Sequence, residues 1–311
     1  MPRKRRRESK RVLAITFSVI FIALLGVTLG LPYLAGPAVE HFPASYVVPT
    51  EAWMKLVPMN AISAGVIEVS NLTATGVDYS QFLTTFINVY QLGVRLTPEN
   101  LTQIVTYVLP AASSTVNSTE IDIFRPTAYA YGLLLSGLND SSIVSRVNYG
   151  PTTIYHIYNN DTVLRALREG YLAFYNGFIV YSQGAVNPQQ EVENAMDFIY
   201  SGTPSLFDNR TVQSAVYASL GGRSDYLALY YVSFPIQVPN FTVGAKTVWY
   251  ASGDYHGTWA FGFNDSSMSR GRYDDVTKLY TGGYSYYLLD NFVVGDFTLQ
   301  SGGIENQILG F

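Results

Sequence analysis

The chain has 311 residues, 48% of them apolar and 14% charged, against about 25% charged in an ordinary globular domain. That balance excludes a disordered chain, a coiled coil and a highly charged cytosolic protein. With no cysteine, structural disulfides, thiol catalysis, iron–sulfur clusters and cysteine zinc sites are excluded too.

Seven of the 19 Lys and Arg lie in the first eleven residues, as Arg3, Lys4, Arg5, Arg6, Arg7, Lys10 and Arg11. The rest of the chain is acidic, with 12 basic against 22 acidic residues. Such a body has nothing to offset phosphate repulsion, so nucleic acid is not an expected partner. Val12–Leu31 then runs without a charge. As a helix it spans about 30 Å, the thickness of a hydrocarbon core. Residues 12–34 are therefore predicted to be a transmembrane signal-anchor in a lipid bilayer. The basic tail 1–11 stays cytoplasmic and the C-terminal body lies outside, on a single-pass cell-membrane protein. Two rivals stay open. One is a cleaved signal peptide, with Gly36 and Ala38 at the small positions of the cleavage site. The other is a pilin-like precursor, cut near Ser9.

Residues 35–60 carry Pro37, Pro43, Pro49 and Pro58 and read as a Pro-rich stalk. Ala61–Val69 reads as a strand. Tyr79–Tyr90 places Tyr79, Phe82, Phe86 and Val89 on one helical face. A further helix is predicted after Thr97. Thr97 caps it, Pro98 opens it, Leu101, Ile104, Val105, Val108 and Leu109 form its stripe, and Pro110 ends it.

Tyr129–Leu138, Thr153–Tyr158, Tyr171–Tyr175 and Gly177–Ser182 read as strands, with Asn176-Gly177 as a hairpin turn. A short helix is expected over Asp161–Glu169. Asn187-Pro188 opens another, with Val192, Ala195, Met196 and Ile199 on one side. Asp208 is the expected cap of a helix over Asn209–Leu220, closed by Gly221-Gly222. Strands follow at Tyr226–Phe234, Thr247–Ala251, Thr258–Phe263, Tyr284–Leu289 and Phe292–Leu299. The C-terminal GIENQILGF suggests a short helix over Ile304–Leu309 that packs back on the body.

Residues 129–142 and 257–267 each read as an aromatic strand ending in Asn-Asp-Ser-Ser, and 175–184 resembles 289–298 in the same order. This predicts an internal repeat. The predicted fold class is α+β: an N-terminal transmembrane helix, then two related, unequal modules of antiparallel sheet with helices on one face. The larger α+β module covers 61–222 and the smaller, β-rich one 223–311.

Asn-x-Ser/Thr sequons stand at Asn71, Asn100, Asn117, Asn139, Asn160, Asn209, Asn240 and Asn264. Chance would supply about three. All follow the anchor, which makes N-glycans expected partners of an exterior body. With one anchor, many sequons, 25 Tyr and no Cys, the chain resembles archaeal single-pass, N-glycosylated cell-surface proteins. The resemblance implies a place on the outer face of a membrane, beneath or within a surface layer. A surface built on hydroxyls and amides would also keep its hydrogen bonds in an acidic medium.

No elbow serine, zinc-binding helix, phosphate loop or calcium loop occurs. No catalytic residue and no cofactor are expected. Asp254 and His256 could present an oxygen and a nitrogen to one metal, with Asp274, Asp275 or Asp290 as a third ligand. Asp274 and Asp275 could instead join Asp265 around a calcium ion. Glu191, Glu193 and Asp197 read as a solvated helix face. Tyr284, Tyr286, Tyr287, Tyr230, Tyr231, Trp249 and Tyr250 divide between core and an aromatic binding face, and strand alternation leaves the division open.

The resulting expectation is a non-enzymatic, membrane-anchored extracytoplasmic interaction or scaffold domain, or an accessory subunit of a cell-envelope or surface-layer complex. An extracytoplasmic ligand-binding or sensory domain is the alternative. A metal-assisted exoenzyme and a pilin-like filament subunit follow.

Overall fold

The computed structural model describes residues 39–41, 52–76, 87–110, 119–161, 166–183, 187–201, 204–232, 240–279 and 284–299. The chain forms two units, Met1–Glu40 and His41–Phe311. In the first, a two-residue strand Val39–Glu40 is described. The basic tail 1–11, the expected anchor 12–34, the sequon at Asn117 and the C-terminal Ile304–Leu309 lie outside the described residues. Among the described residues no helix is long and apolar enough to cross a membrane.

In chain order the second unit contains β1 (Ser63–Ile67), α1 (Val69–Ala74), β2 (Ile87–Val89), β3 (Val94–Leu96), β4 (Leu101–Leu109), β5 (Thr119–Pro126), α2 (Ala128–Asp140), β6 (Ser145–Tyr149), β7 (Thr152–Asp161), β8 (Ala166–Tyr175), β9 (Phe178–Gln183), α3 (Pro188–Ser201), α4 (Arg210–Leu220), β10 (Ala228–Val232), β11 (Phe241–Ala251), β12 (Asp254–Phe263), α5 (Ser266–Leu279), β13 (Tyr284–Leu289) and β14 (Phe292–Leu299). These strands form one sheet in the order β13-β14-β12-β11-β10-β1-β4-β5-β9-β8-β7-β2-β3, with β6 also paired to β7. The pairings are antiparallel, from β13 on β14 through to β2 on β3. The fold is therefore α+β, as expected.

Several local expectations are corrected. Leu101–Leu109 is a strand. Thr97 and Pro98 do open a helical turn with a capping box, but it lasts only through Asn100. Tyr129–Leu138 is helical rather than extended. Thr127 caps α2, and Ala130, Leu134 and Leu138 are its buried stripe, four residues apart as one helical face demands. Asp161 and Ala166–Glu169 lie in the β7–β8 hairpin, where Asp161 faces Ala166, not in a helix. Of Tyr79–Tyr90, Ile87–Val89 is a strand and Tyr90 starts a 3₁₀ turn; residues 77–86 lie outside the described residues. Asn209, not Asp208, caps α4, its Oδ1 accepting from the amides of Thr211 and Val212. Asp208 instead closes a capping box with Ser205.

The proposed repeat does not hold in structure, because 129–140 is helical and 257–263 is extended. The sheet is also continuous across residues 222 and 223. β1, from the N-terminal side of that line, lies between β10 and β4.

Helices cover both faces of the sheet, not one. On one face Val192 and Met196 of α3 and Val212 and Val216 of α4 pack with Trp53, Val66, Val105, Tyr107 and Ile123. On the other, Val69 and Leu72 of α1 and Leu134 and Leu138 of α2 pack with Ile67, Ile104, Phe124 and Ile179. The cause is in the strands: successive residues such as Ile104 and Val105, or Ile123 and Phe124, are both buried. A strand apolar on both sides needs cover on both sides.

Candidate functional site: an aromatic pocket around Lys246

Strand alternation settles the division of the aromatic residues. Tyr231 is buried among the α3 and α4 contacts, and Tyr287 packs against the same cluster. Tyr230, Tyr284 and Tyr286 point to the opposite face. On that face one cross-strand row reads Gly295, Trp259, Lys246, Tyr230, Gly65, Thr106 and Asp122, each residue the registered neighbour of the next.

Two glycines allow aromatic rings to lie down along this row. A Cβ on Gly65 would fall 2.0 Å from Tyr230 Cδ1, and one on Gly295 would fall 2.7 Å from Trp259 Cζ2. Only glycine permits such an approach. The rings then build the wall of a cavity of about 350 Å³, lined by Tyr230, Lys246, Trp259, Phe261, Tyr284 and Phe297 among others. Trp259 and Phe261 stand 4.6 Å apart between ring centroids, and Tyr284 and Phe297 stand 5.8 Å apart. Tyr284 also stacks on Tyr286 at 5.9 Å.

Lys246 is the charged residue of this lining. It is half-buried, and desolvation lowers its pKa from 10.5 to about 8. Burial likewise raises the Tyr230 hydroxyl above its usual range. Four strands further along, Asp122 Oδ1 accepts a 2.6 Å hydrogen bond from Thr106 Oγ1. Burial first, and the Glu120 charge second, push the Asp122 carboxyl up to about 7, against the hydrogen bond.

The residues singled out for metal binding do not assemble. His256 on β12 stacks on Trp249 at 5.6 Å, and its Nε2 lies 3.3 Å from the Ala251 carbonyl. Arg223 covers the Trp249 ring at 3.7 Å. Asp254 precedes His256 on the same strand, whereas Asp274 and Asp275 lie on α5, with Asp275 3.8 Å from Arg272. Asp265 caps α5, its Oδ1 accepting from the amides of Ser267 and Met268. Asp290 contacts His41 at 2.5 Å. Among the described residues no three His, Asp or Glu side chains come together as a metal set.

The expected solvated face of α3 is a set of pins. Glu191 accepts from Thr119 and Ser182, Glu193 from Gln189, and Asp197 from the Tyr149 hydroxyl. Lys246 and Asp122 were the residues missed. A signal for both exists in the sequence, a lone charge inside an apolar strand (GAKTVW and IDIF).

The sequon asparagines differ in their engagement. The Asn71 Nδ2 donates to the Tyr226 carbonyl at 2.9 Å and the Asn100 Nδ2 to the Arg95 carbonyl at 3.1 Å. Asn139 is exposed and uses its Oδ1, accepting from the Tyr155 hydroxyl. Asn240 and Asn264 are exposed, and Asn160 is half-buried.

No family model matches this chain, and no curated protein matches it. Among solved structures it is similar to crystal form I of TP0453, at 10% identity and a TM-score of 0.51, over 85% of this chain and 97% of that one. Crystal forms III and IV of TP0453 match at 8% and 10% identity, with TM-scores of 0.48 and 0.47. At this identity the likeness is one of fold alone.

Proposed function

We propose that this chain is a membrane-anchored, extracytoplasmic binding protein that holds a small apolar ligand in the pocket around Lys246. One observation carries the reading: a cavity walled by aromatic rings, with a single kind of charge at its wall, on a sheet whose other apolar surface is covered. Small-molecule sites have this character, apolar lining with a few placed polar groups. The ligand-binding alternative is thereby preferred to the scaffold reading, for which no comparable surface feature speaks. The uncharged stretch 12–34 and the basic tail support the anchor and its orientation. The excess of sequons, with Asn139, Asn240 and Asn264 exposed, supports N-glycans on the exterior body.

Native mass spectrometry of the full-length protein, drawn from its own membranes in mild detergent, tests this. The expected spectrum shows a glycosylated chain with its N-terminus intact, plus a small-molecule adduct lost in a Trp259→Ala variant. A chain with no adduct and a stoichiometric protein partner overturns the binding reading and returns the scaffold one.

A further inference from the structure

The chemistry of the pocket wall narrows what it takes, and this step rests on the binding reading above. We propose that the ligand is a small amphipathic anion, a carboxylate or sulfonate on a flat apolar body. The anionic group meets Lys246 Nζ, and the body lies against Trp259, Phe261 and Phe297.

Three ligand classes compete for an aromatic wall. Sugars stack on rings but also need hydrogen-bonding partners for their hydroxyls, and carboxylate and amide side chains are missing from the lining. Organic cations gain about 0.5–2 kcal/mol from ring faces. Against that, a like charge about 4 Å from Lys246 costs roughly 4 kcal/mol at the effective dielectric of a protein surface, so repulsion wins. An anion reverses that sign while keeping the apolar contacts. It also lessens the cost of desolvating the amine, which a neutral body leaves in place. The volume sets the size. About 350 Å³ is near the lower end of the roughly 300–1,000 Å³ range for small-molecule sites, which suits one or two fused rings rather than a long lipid chain.

The test is calorimetric titration of the full chain in lipid nanodiscs with three probes of one shape: naphthoate, naphthalenemethanol and naphthylmethylammonium. Naphthoate is expected to bind at least tenfold more tightly than the other two. Lys246→Met should remove that preference while the alcohol still binds, and Lys246→Arg should keep it. Equal binding of acid and alcohol, or tightest binding of the ammonium, overturns the anion assignment and leaves the pocket as a binding site. Failure of all three probes to bind wild-type protein overturns both.

Discussion

Gly65 lies directly beneath the Tyr230 ring, so close that a Cβ at position 65 would stand 2.0 Å from Tyr230 Cδ1. The two are registered neighbours on β1 and β10. The contact joins stability to the pocket, because Tyr230 is part of its wall. Gly65→Ala must tilt the ring or shift the strand, at a cost of about 1–3 kcal/mol. Chemical denaturation should read that loss, and pocket binding should weaken with it. Gly132 on α2 is the contrast, with nothing within 4 Å of its Cβ position. Gly132→Ala should gain roughly 0.5–1 kcal/mol.

Asp122 makes the fold more stable in mild acid. Its carboxyl titrates at about 7 in the folded chain against 3.8 as the ordinary value. Above pH 7 the fold carries a buried, ionised carboxylate, and that cost fades as the pH drops from 7 towards 4. Glu68, raised by burial, acts in the same direction. Glu99 and Asp265, held down by capping hydrogen bonds, oppose it only once the pH approaches their ordinary values of 4.5 and 3.8. Lys246 stays charged in both states across this window. Stability should therefore rise by roughly 2 kcal/mol from pH 7 to pH 5, less than the full linkage value because Asp122 keeps some solvent contact. Asp122→Asn should flatten the curve. A stability that falls over this range would also remove the suggestion that the surface suits an acidic medium.

Asn159 ties three strands at the far end of the same face. Its Nδ2 donates to the Tyr181 hydroxyl at 2.9 Å and to Gln183 Oε1 at 3.0 Å, and its Oδ1 accepts from the Asn88 amide at 2.8 Å. At 3% exposure these partners have no water to turn to. Asn159→Ala should cost about 1–3 kcal/mol in an unfolding measurement.

Glycan occupancy should follow the engagement of each amide. Asn139 and Asn264 are exposed and are expected to be modified in protein from native membranes. Asn71, whose amide donates to Tyr226, is expected to be empty. Glycopeptide mass spectrometry checks this, and full occupancy at Asn71 with none at Asn264 would contradict it.

The sequence was most legible where one periodicity had no competitor. Asn176 and Gly177 both adopt positive φ in the β8–β9 hairpin, as Asn-Gly predicts. α3 buries Val192, Ala195 and Met196 as its spacing requires. β4 was misread because a strand buried on both faces loses its alternation. Leu101, Ile104, Val105 and Val108 then match a helical stripe by accident, although their β-branching points to a strand. α2 was misread for the converse reason. Tyr129, Tyr131 and two glycines suggest extended chain, while the Thr127 cap and the spacing of Ala130, Leu134 and Leu138 decide for helix. The pocket was only half legible. Its aromatic residues were visible, but alternation alone does not say which face a neighbouring helix will cover. Nor does it reveal that Gly65 and Gly295, distant in sequence, let Tyr230 and Trp259 lie flat on either side of Lys246.

The most direct test of the binding role is a crystal structure of the protein purified from its own membranes without added ligand. The expected result is an ordered molecule in the pocket, its rings against Trp259 and its anionic group on Lys246 Nζ. A pocket holding only solvent, or filled by a segment of another protein, would contradict it.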